Sequence, residues 1–212
     1  MIFLKENDSF PDVNLADEDG LLAVGGTLTT KRLIEAYNSG IFPWYSEGQA
    51  VLWWSPDPRM VLFLDNFKVS KSLKKTIDSG KFKVTFNTAF AEVITACAMA
   101  KRQGQDGTWI TQEMINAYIE LHKKGHAFSV EVWHNDTLVG GLYGIDLPEK
   151  KVFCGESMFH KVSEASKVAL FFLVEKLKTE GYKLIDCQVY TKHLDFLGAC
   201  LISRNQFLGH LK

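Results

Sequence analysis

Two apolar, strand-like segments carry polar groups where burial would ordinarily forbid them. In KLIDCQVY, side chains alternate across the strand, so Asp186, Gln188 and Tyr190 share one face and Ile185, Cys187 and Val189 the other. An acid two residues from an amide in such a strand is costly to bury unless it is paired or opens on a cleft. The plain alternative is a strand end with one wet face, or an Asp satisfied by backbone donors. In KVFCGESMF the corresponding face holds Cys154, Glu156 and Met158, and Gly155 lets another backbone approach closely. Here the alternative is an edge-strand carboxylate facing water. If the two strands are neighbours, Glu156 and Asp186 face one cleft. Two carboxylates there would attract a cationic substrate, and one could orient or deprotonate an amine.

Other chemistries find weaker footing. Cys154…His160 and Cys187…His193 share a C-x5-H spacing that invites zinc, but both cysteines lie mid-strand rather than in tight turns, and buried inert thiols are expected. No G-x-S-x-G turn is present to support a hydrolase triad. Gly25–Gly26 before a helix lacks a following Lys-Ser or a G-x-G-x-x-G spacing, so a plain turn is favoured over a phosphate cradle. Trp44, in an aromatic cluster beside prolines, and Trp109, just before a helix start, suit core packing or stacking on a base. Lys68, Lys71, Lys74, Lys75, Lys81 and Lys83 crowd together with Asp78 as the single acid among them. Such a run is either a solvated face or a local patch able to contact phosphates.

The elements that would position these groups follow from periodicity and punctuation. A short strand is expected near Ile2–Leu4, then a Gly turn in LLAVGG, an N-cap at Thr29 and a helix over 31–38 stopped by Gly40. The prolines of SPDPR mark the clearest boundary, dividing 1–58 from 59–212. Beyond it come a partly helical basic stretch, a short strand in FKVTFN, and a helix over 88–102 with Phe90, Val93, Ile94 and Cys97 on one face. Thr111 caps a further helix on which Ile115, Tyr118, Ile119 and His122 share a face, ended by Gly125. AFSVEVWH, TLVGGLYGID and KVFCGESMF, separated by HND and LPEK, predict an antiparallel meander. A largely apolar helix over 164–179 and the strand KLIDCQVY follow. The fold class is α+β, with helices packed on a mixed sheet.

Bulk properties bound the function. The chain has 212 residues, enough for a sizeable core, and a net charge of −1, so nucleic-acid binding would need a local basic patch. No apolar run is long enough to span a membrane, and the N-terminus lacks a signal-peptide pattern. Four cysteines without a C-x-x-C pair fit a reduced, cytoplasmic protein.

Taken together, GLLAVGGTLTTKRLIEAYNSGIFPWY, LWWSPDPR, GTWIT, AYIELHKKGHAFSVEVW, LVGGLYG, FCGESMF, ASKVAL, KLIDCQV and LGA resemble the leucyl/phenylalanyl-tRNA–protein transferases, in family order and over nearly the whole chain. The resemblance implies a small N-terminal α/β domain (1–58) joined to an acetyltransferase-like (GNAT) catalytic domain (59–212) with a central mixed sheet. It implies transfer of Leu, Phe or Met from charged tRNA to a protein beginning with Arg or Lys, marking it for the N-end rule pathway. No cofactor, ATP or metal is expected, because the aminoacyl ester is already activated. The partners implied are aminoacyl-tRNA and the acceptor protein, with no membrane.

Carried onto this chain, Trp44 and Trp109 match positions that contact the terminal adenosine. Glu156, Asp186 and Gln188 match the polar active-site positions, with Asp186 polarising Gln188 and Glu156 holding substrate. Leu142, Met158, Leu170 and Leu173 are expected to form the apolar side-chain pocket. Leu142 and Leu173 stand where the family often has Met and Phe. Lys71, Lys74, Lys75 and Lys81 fall where the family presents a basic patch to the tRNA. Two rivals are a CoA-dependent N-acetyltransferase and a non-catalytic RNA-binding module. FHKVSEASK lacks the glycines of a pyrophosphate turn, which argues against the first, and the second leaves the acid–amide strand unexplained.

Overall fold

The computed structural model describes residues 1–100 and 109–212. Strand β1 (Ile2–Leu4) lies parallel to β2 (Leu21–Gly25), so the segment expected as a Gly turn is a strand that ends in one. Gly25 and Gly26 have φ of 97° and 73°, the left-handed conformation that a side chain would resist. Thr29 then caps α1 (Thr30–Asn38), its side-chain oxygen accepting from the Arg32 N–H at 3.3 Å. Strands β3 (Phe42–Pro43) and β4 (Leu52–Trp54) complete a four-stranded sheet in the order β1-β2-β4-β3.

After the prolines the chain builds a second sheet. Its elements are β5 (Arg59–Phe63), α2 (Lys71–Asp78), β6 (Lys83–Phe86), α3 (Phe90–Met99) and α4 (Gln112–Lys123), then β7 (Ala127–His134), β8 (Thr137–Leu147) and β9 (Val152–His160). They continue with α5 (Ala165–Thr179), β10 (Leu184–Gln188), α6 (Lys192–Phe196), β11 (Cys200–Ile202) and α7 (Arg204–His210). The order is β11-β5-β10-β9-β8-β7-β6. The meander β7–β8–β9 is antiparallel as expected, and β9 pairs with β10 in parallel, which makes the sheet mixed. Asn135 and Asp136 turn β7 into β8 with φ of 49° and 60°, the twist-matched geometry of a two-residue hairpin.

Helices cover both faces. Phe90, Val93, Ile94 and Cys97 of α3 pack with Met114, Tyr118 and Leu121 of α4 into a cluster that also takes in Tyr37 of α1 and Phe42 and Trp53 of the first sheet. The buried face of α4 is thus Met114–Tyr118–Leu121, whereas Ile115, Ile119 and His122 are only half-buried. On the opposite face α5 buries Val168, Ala169, Leu170, Leu173, Val174 and Leu177 beside Leu73 of α2. The expected helix over 88–102 is helical from Phe90 to Met99, and positions 101 and 102 lie outside the described residues. Cys154 faces the first cluster and Cys187 the second, so the two cysteines sit on opposite sides of the sheet. Burial pushes both thiols above their ordinary pKa, in keeping with inert core residues.

Candidate active site

The site begins where two parallel strands part. β9 and β10 are in register from Leu184↔Val152 to Asp186↔Cys154 and no further. β9 continues to His160, while β10 ends at Gln188. Each strand carries a bulge at this level. On β9, Tyr143 pairs with Ser157 and Gly144 with Gly155, which leaves Glu156 as the extra residue. On β10, Asp186 pairs with Val61 and Gln188 with Met60, which leaves Cys187 unpaired. A bulge bends its strand and re-aims a side chain. Here Gln188 Nε2 donates to Glu156 Oε1 at 3.2 Å across the mouth of the split.

Gln188 adopts φ of 59°, a left-handed conformation that costs a non-glycine residue roughly 1–2 kcal/mol. Asp186 holds it there, for Oδ1 accepts the Gln188 backbone N–H at 3.0 Å. Asp186 is itself fixed by Arg59, whose Nε and Nη2 donate to Oδ1 and Oδ2, both at 2.8 Å. The guanidinium is 1% exposed as a residue and Asp186 0%. It also donates to the Gly40 carbonyl at 3.1 Å and lies between the Phe42 and Phe207 rings, 4.8 and 4.7 Å from their centroids. Burial alone would lower the Arg59 pKa, but Asp186 reverses that and leaves it raised. The contact is bidentate, and it ties the end of α1, β5 and β10 to one point.

Glu156 is the titrating member. Burial pushes its carboxyl from 4.5 up to about 7. Hydrogen bonds from Tyr37 and Tyr118 act against that rise, Asp186 adds to it, and Arg59 partly offsets it. The Tyr118 hydroxyl donates to Glu156 Oε2 at 3.2 Å and is bonded to the Tyr37 hydroxyl. Both phenols are buried, with pKa values pushed well above 10. They remain neutral donors that hold the carboxylate without competing for its role. The arrangement presents a carboxylate near half-ionisation at neutral pH beside an amide at the edge of an open strand pair. Such a pair can accept a proton and hydrogen-bond a polar reactant.

Residues 61–212 match the family described as leucyl/phenylalanyl-tRNA protein transferase, and residues 26–57 match its N-terminal domain. The chain is 59% identical to the leucyl/phenylalanyl-tRNA–protein transferase of Christiangramia forsetii over 211 residues, covering 100% of each. It is 58% identical to the corresponding protein of Flavobacterium johnsoniae, covering 100% of this chain and 99% of that relative. The chain belongs to the leucyl/phenylalanyl-tRNA–protein transferase family. Among solved structures, an aminoglycoside acetyltransferase from a soil metagenomic sample superposes with a TM-score of 0.41 at 12% identity, over 56% of this chain and 86% of its own.

In this transferase Leu142, Met158, Leu170 and Leu173 come together in the cluster under α5, with Leu142 directly opposite Met158 in the β8–β9 register. Met158 thus lies across the sheet from Cys154, not beside it, because the extra residue at Glu156 reverses the alternation of β9. Tyr190 leaves the face expected for it because β10 ends two residues earlier. Trp44 is 38% exposed and packs on Trp54 with ring centroids 5.8 Å apart. Its neighbour Tyr45 donates to Glu113 at 3.0 Å, on the helix that also supplies Tyr118. Trp109 is half-buried against the α3–α4 cluster on the other side of the sheet; the first two residues of its GTWIT string lie outside the described residues. Lys71, Lys74, Lys75 and Lys81 are exposed, on α2 and just beyond it.

Arg59, Tyr37 and Tyr118 are the members of this constellation that the sequence does not single out. One signal for Arg59 is present: a buried acid in an apolar strand demands a cation, and Arg59 heads the apolar strand RMVLF. Gly144 is a further silent requirement. A Cβ there would collide with the Cys154 carbonyl and the Phe153 ring, directly opposite the bulge. Gly144→Ala should therefore displace β9 and lower transfer at least tenfold while the protein stays folded. A variant with unchanged kcat/KM would show that the bulge does not set the position of Glu156.

Proposed function

We propose that the chain moves Leu, Phe or Met from charged tRNA to the N-terminal Arg or Lys of an acceptor protein, with Glu156 and Gln188 at the reacting centre. The carrying observation is the Glu156–Gln188 hydrogen bond at the parting of β9 and β10, with Glu156 poised at about 7. The acceptor's α-amine attacks the ester carbonyl, a C–N bond forms, and the C–O bond to the tRNA ribose breaks. The amine's proton passes to Glu156, which returns it to the ribose oxygen as the C–O bond breaks, so the carboxylate is regenerated. An α-amine has a pKa near 8, so a carboxylate near 7 is matched to receive its proton as attack proceeds.

This division of labour differs from the one the resemblance suggests. Both Asp186 oxygens are engaged by Arg59, and Asp186 reaches the backbone rather than the side chain of Gln188. Asp186 is thus a positioning residue, and Glu156 the better candidate for handling the proton. Leu142, Met158, Leu170 and Leu173 supply the apolar wall for the transferred side chain. Trp44 and Trp109 flank the terminal adenosine, and Lys71, Lys74, Lys75 and Lys81 face the tRNA phosphates. The reading carries with it a cytoplasmic site of action and an N-end rule product. Among the described residues no helix is long and apolar enough to cross a membrane.

The test is incubation with labelled Leu-tRNA and peptides beginning with Arg, Lys or Ala. Label should enter the Arg and Lys peptides and not the Ala peptide. Labelling of the same peptides from acetyl-CoA, with none from charged tRNA, would overturn the reading.

A further inference from the structure

The segment that follows the site strand has a composition the reaction has not yet used. Tyr190 and Phe196, 52% and 67% exposed, lie within eight residues of Gln188. Phe196 and Val69, the latter 41% exposed, line a shallow groove with Lys68, Ser70 and Asp195. That groove joins α6 to the start of α2, and the Lys68 N–H donates to the Leu197 carbonyl at 2.9 Å to fix the junction. The exposed lysines of α2 therefore lead into the groove at one end, and α6 leads from it back toward Gln188 at the other.

We infer that this groove is the track for the unpaired 3′ end of the donor tRNA, with Phe196 stacking on a base and Lys68 and Lys192 meeting phosphates. The inference rests on the donor being aminoacyl-tRNA, as proposed above, and joins to Lys68 of the basic run two residues, Phe196 and Lys192, that neither strand alternation nor the family resemblance picks out. Exposed aromatics interleaved with basic residues are what binds single-stranded nucleic acid, because every base has a face to stack and every linkage a charge. An aliphatic partner would use the phenylalanine but leave the lysines without purpose. His160 reaches Ser166, at 3.4 Å between Nδ1 and Oγ, and Lys167 pairs with Glu164 at 2.7 Å. Partial burial lowers the His193 pKa, and Lys167 and His160 add to the shift, so His193 lies near both. Asp195 is the acid on the groove wall, and its charge opposes the same ligand.

The experiment compares two donors, whole Leu-tRNA and leucyl-adenosine, which lacks the preceding nucleotides. For Phe196→Ala the ratio of kcat/KM between whole donor and minimal donor should fall about tenfold, the loss of one base stack. Phe196→Trp should restore the ratio. Lys68→Ala should reduce the slope of log affinity for charged tRNA against log salt by about 0.7, one single-strand phosphate contact. An unchanged ratio in Phe196→Ala, or equal losses with both donors, would overturn the inference. If the unmodified protein used neither donor, the aminoacyl-tRNA reading itself would fail, a distinct result.

Discussion

Arg59→Met is expected to destabilise the protein by about 3–5 kcal/mol, measured as a shift in urea midpoint at unchanged slope. Methionine keeps an apolar body between Phe42 and Phe207 but removes both donors to Asp186. Asp186, at 0% exposure, is then left as a buried carboxylate without a counter-ion. An isolated surface pair would be worth at most about 1 kcal/mol, so the size of the loss reports burial rather than contact. The double variant Arg59→Met/Asp186→Leu should recover most of this stability, since an apolar pair can replace a buried ion pair. It should not recover transfer. Without Asp186 the Gln188 N–H loses its acceptor, and the left-handed turn that aims Gln188 at Glu156 loses its anchor. Stability and activity therefore separate in the double variant. Full transfer by that double variant would remove Asp186 from any positioning role.

The same residues show how far the sequence carries. Local rules place the caps at Thr29 and Thr111, the meander over β7–β9 and the buried helix α5, because each depends on neighbours a few positions away. Glu156, Asp186 and Gln188 stand out because polar groups in apolar strands require explanation. What stays hidden depends on pairing across the fold. Arg59 and Asp186 are 127 residues apart in sequence, so nothing local joins them. The bulges at Glu156 and Cys187 exist only relative to β8 and β5, and a lone strand cannot announce a register shift. That is why strict alternation puts Met158 beside Glu156, and why Asp186 looks like a partner for the Gln188 side chain instead of its backbone. Leu21–Gly25 reads as a turn because its glycines dominate the pattern, yet the apolar residues before them pair with both β1 and β4. Tyr118 is legible as a core residue, but its hydroxyl's task depends on where β9 bends.

Glu156→Gln should slow transfer by about a hundredfold or more, the usual contribution of a positioned proton acceptor. It should also make the protein more stable at high pH. The sign follows from the direction of the shift. The carboxyl rises from 4.5 to about 7 on folding, so between these values the native state binds more protons than the unfolded chain. The unmodified protein accordingly loses stability as pH climbs through that window, and the full cost is present above it. Glutamine carries no charge to desolvate, and the Gln188 amide can turn to meet it. Relative to the parent, Glu156→Gln should be near neutral at pH 5 and more stable by about 1–3 kcal/mol at pH 8, a range reduced from the full shift because the residue is partly exposed. Denaturation at the two pH values measures this directly. The rate profile supplies the second check. In the parent, transfer should rise with pH through about 7 as Glu156 ionises, and further as the acceptor amine loses its proton. In the variant only the limb belonging to the amine should remain. Greater stability at pH 8 with lost activity would mark Glu156 as a residue held at energetic cost for chemistry. Equal destabilisation at both pH values would make it a structural acceptor for Tyr118 and Gln188, and the proton would then have to leave the amine by another route.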